Sequence, residues 1–79
     1  MIYRFDEPIM FNWSGGNGKY TAKIKYNGAP ARCVLEQCQT GWRFAVYDMH
    51  DKYIVKYKFR NVSLAEAQDK AEYYVNMEI

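Results

Sequence analysis

Up to residue 62 apolar and polar side chains alternate one by one; from Ser63 the apolar ones recur every three or four positions. Tyr20-Thr21-Ala22-Lys23-Ile24-Lys25-Tyr26 is the clearest alternating piece, and residues 63–77 are the clearest helical one. Period two belongs to strands and period 3.6 to helices. The pattern therefore predicts an α+β fold, an antiparallel sheet with one C-terminal helix laid across it. At 79 residues the chain is one domain, with residues 1–62 as the sheet and 63–77 as an amphipathic helix.

The breaks between alternating runs predict a meander of about five strands. Ile9, Phe11 and Trp13 alternate with Met10 and Asn12 and read as a first strand, begun as early as Ile2 and interrupted at Pro8, which suits an edge. Ser14-Gly15-Gly16-Asn17-Gly18 reads as a turn. Residues 19–26 form the second strand, Asn27-Gly28 a hairpin turn, 31–37 the third strand, 42–48 the fourth and 53–59 the fifth. Trp42, Phe44 and Val46 are expected on the core face, and Tyr53, Val55, Tyr57 and Phe59 with them. Ser63 followed by Glu66 is a capping box, and Val62 is placed to staple against Ala67. Leu64, Ala67, Ala71, Tyr74 and Val75 then make the buried stripe, its two alanines letting the helix approach closely.

With a helix on one face, the other face stands open. Its expected residues are Lys23, Lys25, Arg43, Tyr47, Ile54, Lys56 and Lys58, a basic surface with an aromatic and an aliphatic residue among the charges. Charge confirms the division. Residues 1–62 hold ten Lys or Arg against five Asp or Glu, whereas residues 63–79 hold Glu66, Asp69, Glu72 and Glu78 against Lys70. A net charge of +2 hides a basic sheet and an acidic helix. Eight Tyr, four Phe and two Trp can build a core that a short chain otherwise lacks, and most of the rings are read that way; the alternative is that some Tyr and Trp lie exposed as binding anchors.

Catalytic and metal chemistry finds little to stand on. Gly15-Gly16-Asn17-Gly18-Lys19 has the look of a phosphate loop, but Trp13 stands where its first Gly belongs, and Tyr20 and a strand follow the Lys. His50 is the single histidine, and Cys33 and Cys38 fall on opposite faces of one strand, too far apart to bridge. Asp48 and Asp51 are explained by turn chemistry. We therefore expect no enzyme, no metal and no cofactor. The first residues show no secretory leader and no stretch is long enough to span a membrane, so the cytoplasm is the expected compartment.

Two resemblances bear on function. Thr40-Gly41-Trp42-Arg43-Phe44-Ala45-Val46-Tyr47 is similar at Gly41, Phe44 and Tyr47 to the aromatic RNA-binding strand of the RRM family, which implies single-strand binding by a basic, aromatic-bearing sheet face. Tyr53-Ile54-Val55-Lys56-Tyr57-Lys58-Phe59 running into Ser63-Leu64-Ala65-Glu66-Ala67 and Ala71-Glu72 is similar to the strand-to-helix ending of phage-encoded anti-CRISPR proteins. That resemblance implies a non-catalytic inhibitor, phage-encoded and working in the host cytoplasm. Its partner would be a host protein complex such as a CRISPR effector, blocked by surface occlusion. The contact would be the basic face or, alternatively, the acidic helix face of Glu66, Asp69 and Glu72. Homodimerisation through the open sheet face, burying Tyr47 and Ile54, is compatible with either reading.

Overall fold

The structure is a computed structural model that describes residues 9–77. Five strands, β1 (Ser14–Gly16), β2 (Lys19–Tyr26), β3 (Ala29–Cys38), β4 (Gly41–Asp48) and β5 (Tyr53–Arg60), are followed by one helix, α1 (Leu64–Met77). Every strand pairs antiparallel with the next, in the order β1-β2-β3-β4-β5. This is the expected α+β meander with its C-terminal helix.

Local chemistry sets the register. Asn17-Gly18 and Asn27-Gly28 both have positive φ at each residue (54° and 83°, 53° and 78°), the type I′ geometry that matches the twist of a two-residue hairpin. At Gly41 a Cβ would collide with the Phe59 carbonyl oxygen, so β4 and β5 approach there only because the residue has no side chain. Ser63 caps α1 by accepting from the Glu66 N–H at 3.2 Å, and Glu66 answers by accepting from the Ser63 hydroxyl at 3.4 Å. The carboxylate thus takes the cap's hydroxyl rather than the backbone N–H expected of a reciprocal capping box.

The core lies between the sheet and α1. Ala22, Ile24, Cys33, Leu35, Trp42, Phe44, Val46 and Phe59 face Ala67, Ala71 and Val75, all buried. Alanine at 67 and 71 keeps the helix axis low, so Val75 reaches complete burial.

Two expectations need correcting. The first strand is not at residues 9–13; that segment is irregular, and Ser14–Gly16, expected as turn, is the strand instead. Ile9, Phe11 and Trp13 do pack on the core, as a strap beside α1. Phe11 and Trp13 stack at 5.4 Å, Trp13 Nε1 donates to the Glu72 carboxylate at 3.0 Å, and Ile9 N–H donates to Asn76 Oδ1 at 2.6 Å. Asn76, a buried polar residue, also donates to the Glu72 and Ile9 carbonyls. The expected extension to Ile2 and Pro8 lies outside the described residues.

The second correction concerns β5. A bulge between Val46 and Tyr47 makes Val55 partner Val46 but Tyr53 partner Tyr47. Tyr53 therefore shares the open face with Tyr47 instead of pointing into the core. Tyr57 keeps the core side but is 48% exposed, because it lies where the sheet ends.

Candidate functional site

The open face can be read row by row from the register. One row runs Lys19, Glu36, Arg43, Lys58; the next Thr21, Val34, Ala45, Lys56; the third Lys23, Arg32, Tyr47, Tyr53. Lys25 beside Pro30 and Arg60 beside Gly41 close the two ends. Glu36 is the one carboxylate that the described strands place within these rows.

The hydrogen-bonding phase sharpens this. Gln37 N–H donates to the Gly18 carbonyl, and Asn61 N–H to the Thr40 carbonyl. Bonded and non-bonded pairs alternate in an antiparallel ladder. Counting inward in register, the core-facing pairs of the β2–β3 and β4–β5 ladders are the hydrogen-bonded ones and their open-face pairs are not, while the intervening β3–β4 ladder has the opposite phase. Non-bonded pairs bring side chains closest, with Cα atoms ~4.5 Å apart. Two of them oppose like charges, Lys23 to Arg32 and Arg43 to Lys58. Directly opposed like charges destabilise a sheet. Arg32 finds relief from Asp51 at 3.2 Å and Arg43 from Glu36 at 3.7 Å, both pairs well exposed and weak.

Each like-charge pair lines a shallow hollow. One of about 350 Å³ is walled by Lys23, Arg32 and Pro30 with the two carboxylates Asp48 and Asp51, the other of about 440 Å³ by Arg43, Lys58, Cys38 and Thr40. They lie diagonally across the sheet. At ~3.3 Å per residue and ~4.8 Å between strands, the two charge pairs are roughly 16 Å apart. Between them lies a neutral floor of Thr21, Val34 and Ala45.

At one margin Tyr47 and Tyr53 form a ring pair at 4.7 Å, with the Tyr47 hydroxyl donating to Tyr53 at 3.2 Å. That bond holds the proton on Tyr47 and pushes its pKa up; accepting it, with Lys56 nearby, lowers Tyr53. The Arg32 guanidinium lies 4.9 Å from the Tyr47 ring centre and the Lys56 ammonium 4.3 Å from that of Tyr53. With cations on these rings, the pair serves to fix two positive charges rather than as a bare stacking platform.

The neighbouring loop is built on Asp48, whose carboxylate accepts from the Lys52 N–H at 3.0 Å and the His50 N–H at 2.8 Å. The Lys52 bond foremost holds its pKa below the ordinary value. The thiols divide as alternation predicts. Cys33 is buried and desolvation pushes it up to about 12. At Cys38 desolvation is the largest single effect and raises the pKa, but the hydrogen bonds with Thr40 and Gly41 and the charge of Lys58 together outweigh it and the net shift is downward. Among the described residues no three His, Cys, Asp or Glu come together to hold a metal ion.

Of the residues that the sequence assigns to the basic face, the open side of the sheet carries the cations Lys23, Lys25, Arg43, Lys56 and Lys58 and the aromatic Tyr47. The alternation of residues 19–26 already puts Lys19 on the same side as Lys23 and Lys25, although the expected site leaves it out; Arg32, Arg60 and Tyr53 were missed. Arg32 was within reach, since extending the alternation into β3 puts it on the open side; Tyr53 was not, because the bulge leaves no local signal. On the helix, Glu66 is engaged at the cap and Glu72 with Trp13, so Asp69 is the acidic group left outside that internal bonding. No family model, no curated protein and no solved structure matches the chain. Among the described residues no helix is long and apolar enough to cross a membrane.

Proposed function

We propose that this protein is a non-catalytic binding domain whose open sheet face holds the phosphate backbone of single-stranded nucleic acid. The carrying observation is the pair of opposed like-charge contacts, Lys23 with Arg32 and Arg43 with Lys58, each at the closest cross-strand position and each lining a hollow. An anion between the two cations turns repulsion into attraction, so an arrangement that costs the free protein stability gains binding energy for the complex. The diagonal of roughly 16 Å accommodates about five phosphates at the ~3.4 Å spacing of a stacked strand. Bases would rest on the floor of Thr21, Val34 and Ala45.

Fluorescence anisotropy of a labelled oligothymidylate against salt tests this. The expected result is a linear fall of log K with log salt, at ~0.7 per neutralised phosphate. Absence of binding at low salt would overturn the proposal, and preference for a duplex would overturn the single-strand assignment.

The second reading is the occlusion inhibitor of a host defence complex that the anti-CRISPR resemblance implies. It is supported by exposed aromatic surface away from the basic face, Tyr57 at 48% and Tyr73 at 47%. A stoichiometric, nuclease-resistant protein partner recovered from bacterial lysate would favour it over the first.

A further inference from the structure

We infer that the free edge of β5 is a docking rail for an extended strand of a partner protein, one that alternates acidic and apolar residues. β5 is eight residues long and ends the sheet; among the described residues no strand pairs with its outer side. Because Asn61 N–H bonds to Thr40, the ladder phase turns the backbone groups of Phe59, Tyr57 and Val55 toward β4. Those of Lys56, Lys58 and Arg60 point outward. A row of unpaired N–H and C=O groups is a template for another strand.

Side chains state which strand. On the core side of the edge, Tyr57 lies 5.2 Å from Phe59 and 5.1 Å from Tyr74 of α1, a ring cluster left open at the sheet margin. On the other side stand Lys56, Lys58 and Arg60. A second copy of this chain is a poor occupant. Antiparallel self-pairing about Tyr57 sets Lys56 against the Lys58 of the other copy, and pairing about Lys56 sets that lysine against itself. Like charges opposed across an edge are a means of preventing self-association. An incoming strand with Asp or Glu opposite Lys56 and Lys58, and Val, Leu or an aromatic residue against Val55, Tyr57 and Phe59, satisfies both faces at once. This surface goes beyond the nucleic-acid reading and shares with it only the β5 cations, so either can fail alone.

The probe is a synthetic peptide alternating Val and Glu, with a Val–Lys peptide and an oligothymidylate as comparisons, all titrated against the full chain. The Val–Glu peptide is expected to bind and to slow hydrogen exchange at the Lys56, Lys58 and Arg60 amides, while the Val–Lys peptide does not. Lys58→Pro deletes one outward N–H and leaves the β4 ladder intact. It should reduce peptide affinity at least tenfold relative to Lys58→Gln, which corrects for the lost charge, while the two variants bind oligothymidylate alike. Tyr57→Ser weakens peptide binding without touching the backbone and serves if the proline variant does not fold. The inference is overturned by equal binding of both peptides, by unchanged exchange at the three amides, or by concentration-dependent protection of those amides without peptide, which would make the edge a dimer contact.

Discussion

Replacing Lys23 and Lys58 by Gln should stabilise the fold and weaken anion binding together. Each lysine directly opposes an arginine in a non-hydrogen-bonded pair, Lys23 to Arg32 and Lys58 to Arg43. Two unit charges about 6 Å apart in water repel by ~0.7 kcal/mol, and opposed cross-strand charges shift stability by roughly 0.2–1 kcal/mol per pair. Asp51 and Glu36 already offset part of this, which favours the lower half of the range. The pairs are far enough apart to add, so the double variant should gain ~1 kcal/mol. For a domain of this size that raises Tm by about 4–8 °C. Thermal unfolding followed by circular dichroism at low salt reads the gain. The same melt at about 1 M salt, where the Debye length is ~3 Å, should erase most of it. In anisotropy titrations the salt slope should fall by ~1.4, since two phosphate contacts are lost. An unchanged or lower Tm at low salt would refute the repulsion argument. A gain that survives high salt would assign it to side-chain propensity instead, and unaltered binding would reduce the face to a solvated surface.

Asn76→Ala should cost about 1–3 kcal/mol, because the Ile9 N–H loses its acceptor in a half-buried site. Freed hydrogen exchange at residues 9–13 and a shift of Trp13 emission check it, and a strap that stays protected would show that Phe11 and Trp13 hold it alone. A native-state thiol titration should find one fast cysteine, Cys38, with Cys33 reacting only in denaturant. Equal rates would contradict the burial of Cys33. Asp48 has a depressed folded pKa, so its contribution is complete above the ordinary Asp value and is lost as pH falls through the lower folded one. Exchange at the His50 and Lys52 amides, corrected for intrinsic rates, should therefore lose protection in acid; the same loss at neutral pH in Asp48→Asn would leave the carboxylate's charge as the requirement, and no loss in either condition would refute it.

Four strands and the helix were legible because each carries its own local signal. Alternation marks β2 to β5, Asn27-Gly28 marks a I′ turn, and Ser63 with Glu66 marks the cap. The failures are places where local pattern and tertiary context part. Ile9, Phe11 and Trp13 alternate like a strand, yet what buries them is a strap tied to α1 through Asn76 and Glu72. Ser14-Gly15-Gly16 looks like turn, yet the Asn17-Gly18 hairpin folds it back onto β2. Tyr53 changes face because one residue is added opposite Tyr47, and strand period two makes every such slip a reversal of sides. For the site, the six sequence-derived residues of the basic face were readable from parity alone, but their cross-strand partners were not. Parity says which side a lysine is on; only register says that it faces an arginine.

That distinction decides how the open face should be understood. Scattered lysines on a solvated sheet are ordinary and protect edges from aggregation, and alternation alone cannot separate them from a binding surface. A solvated face, however, gains nothing from putting cations at the closest cross-strand positions when Glu36 and Asp51 show that carboxylates are tolerated beside them. A domain of 79 residues has a total stability of only ~4–12 kcal/mol at ~0.05–0.15 kcal/mol per residue. Two repulsions that Asp51 and Glu36 offset only in part are a visible fraction of that total. The buried layer of Leu35, Phe44, Val46, Ala67, Ala71 and Val75 lies on the other side of the sheet and is untouched by them. The fold therefore separates cohesion from charge by face: the helix side supplies the buried core, and the open side carries the electrostatic strain on which the proposed anion binding rests.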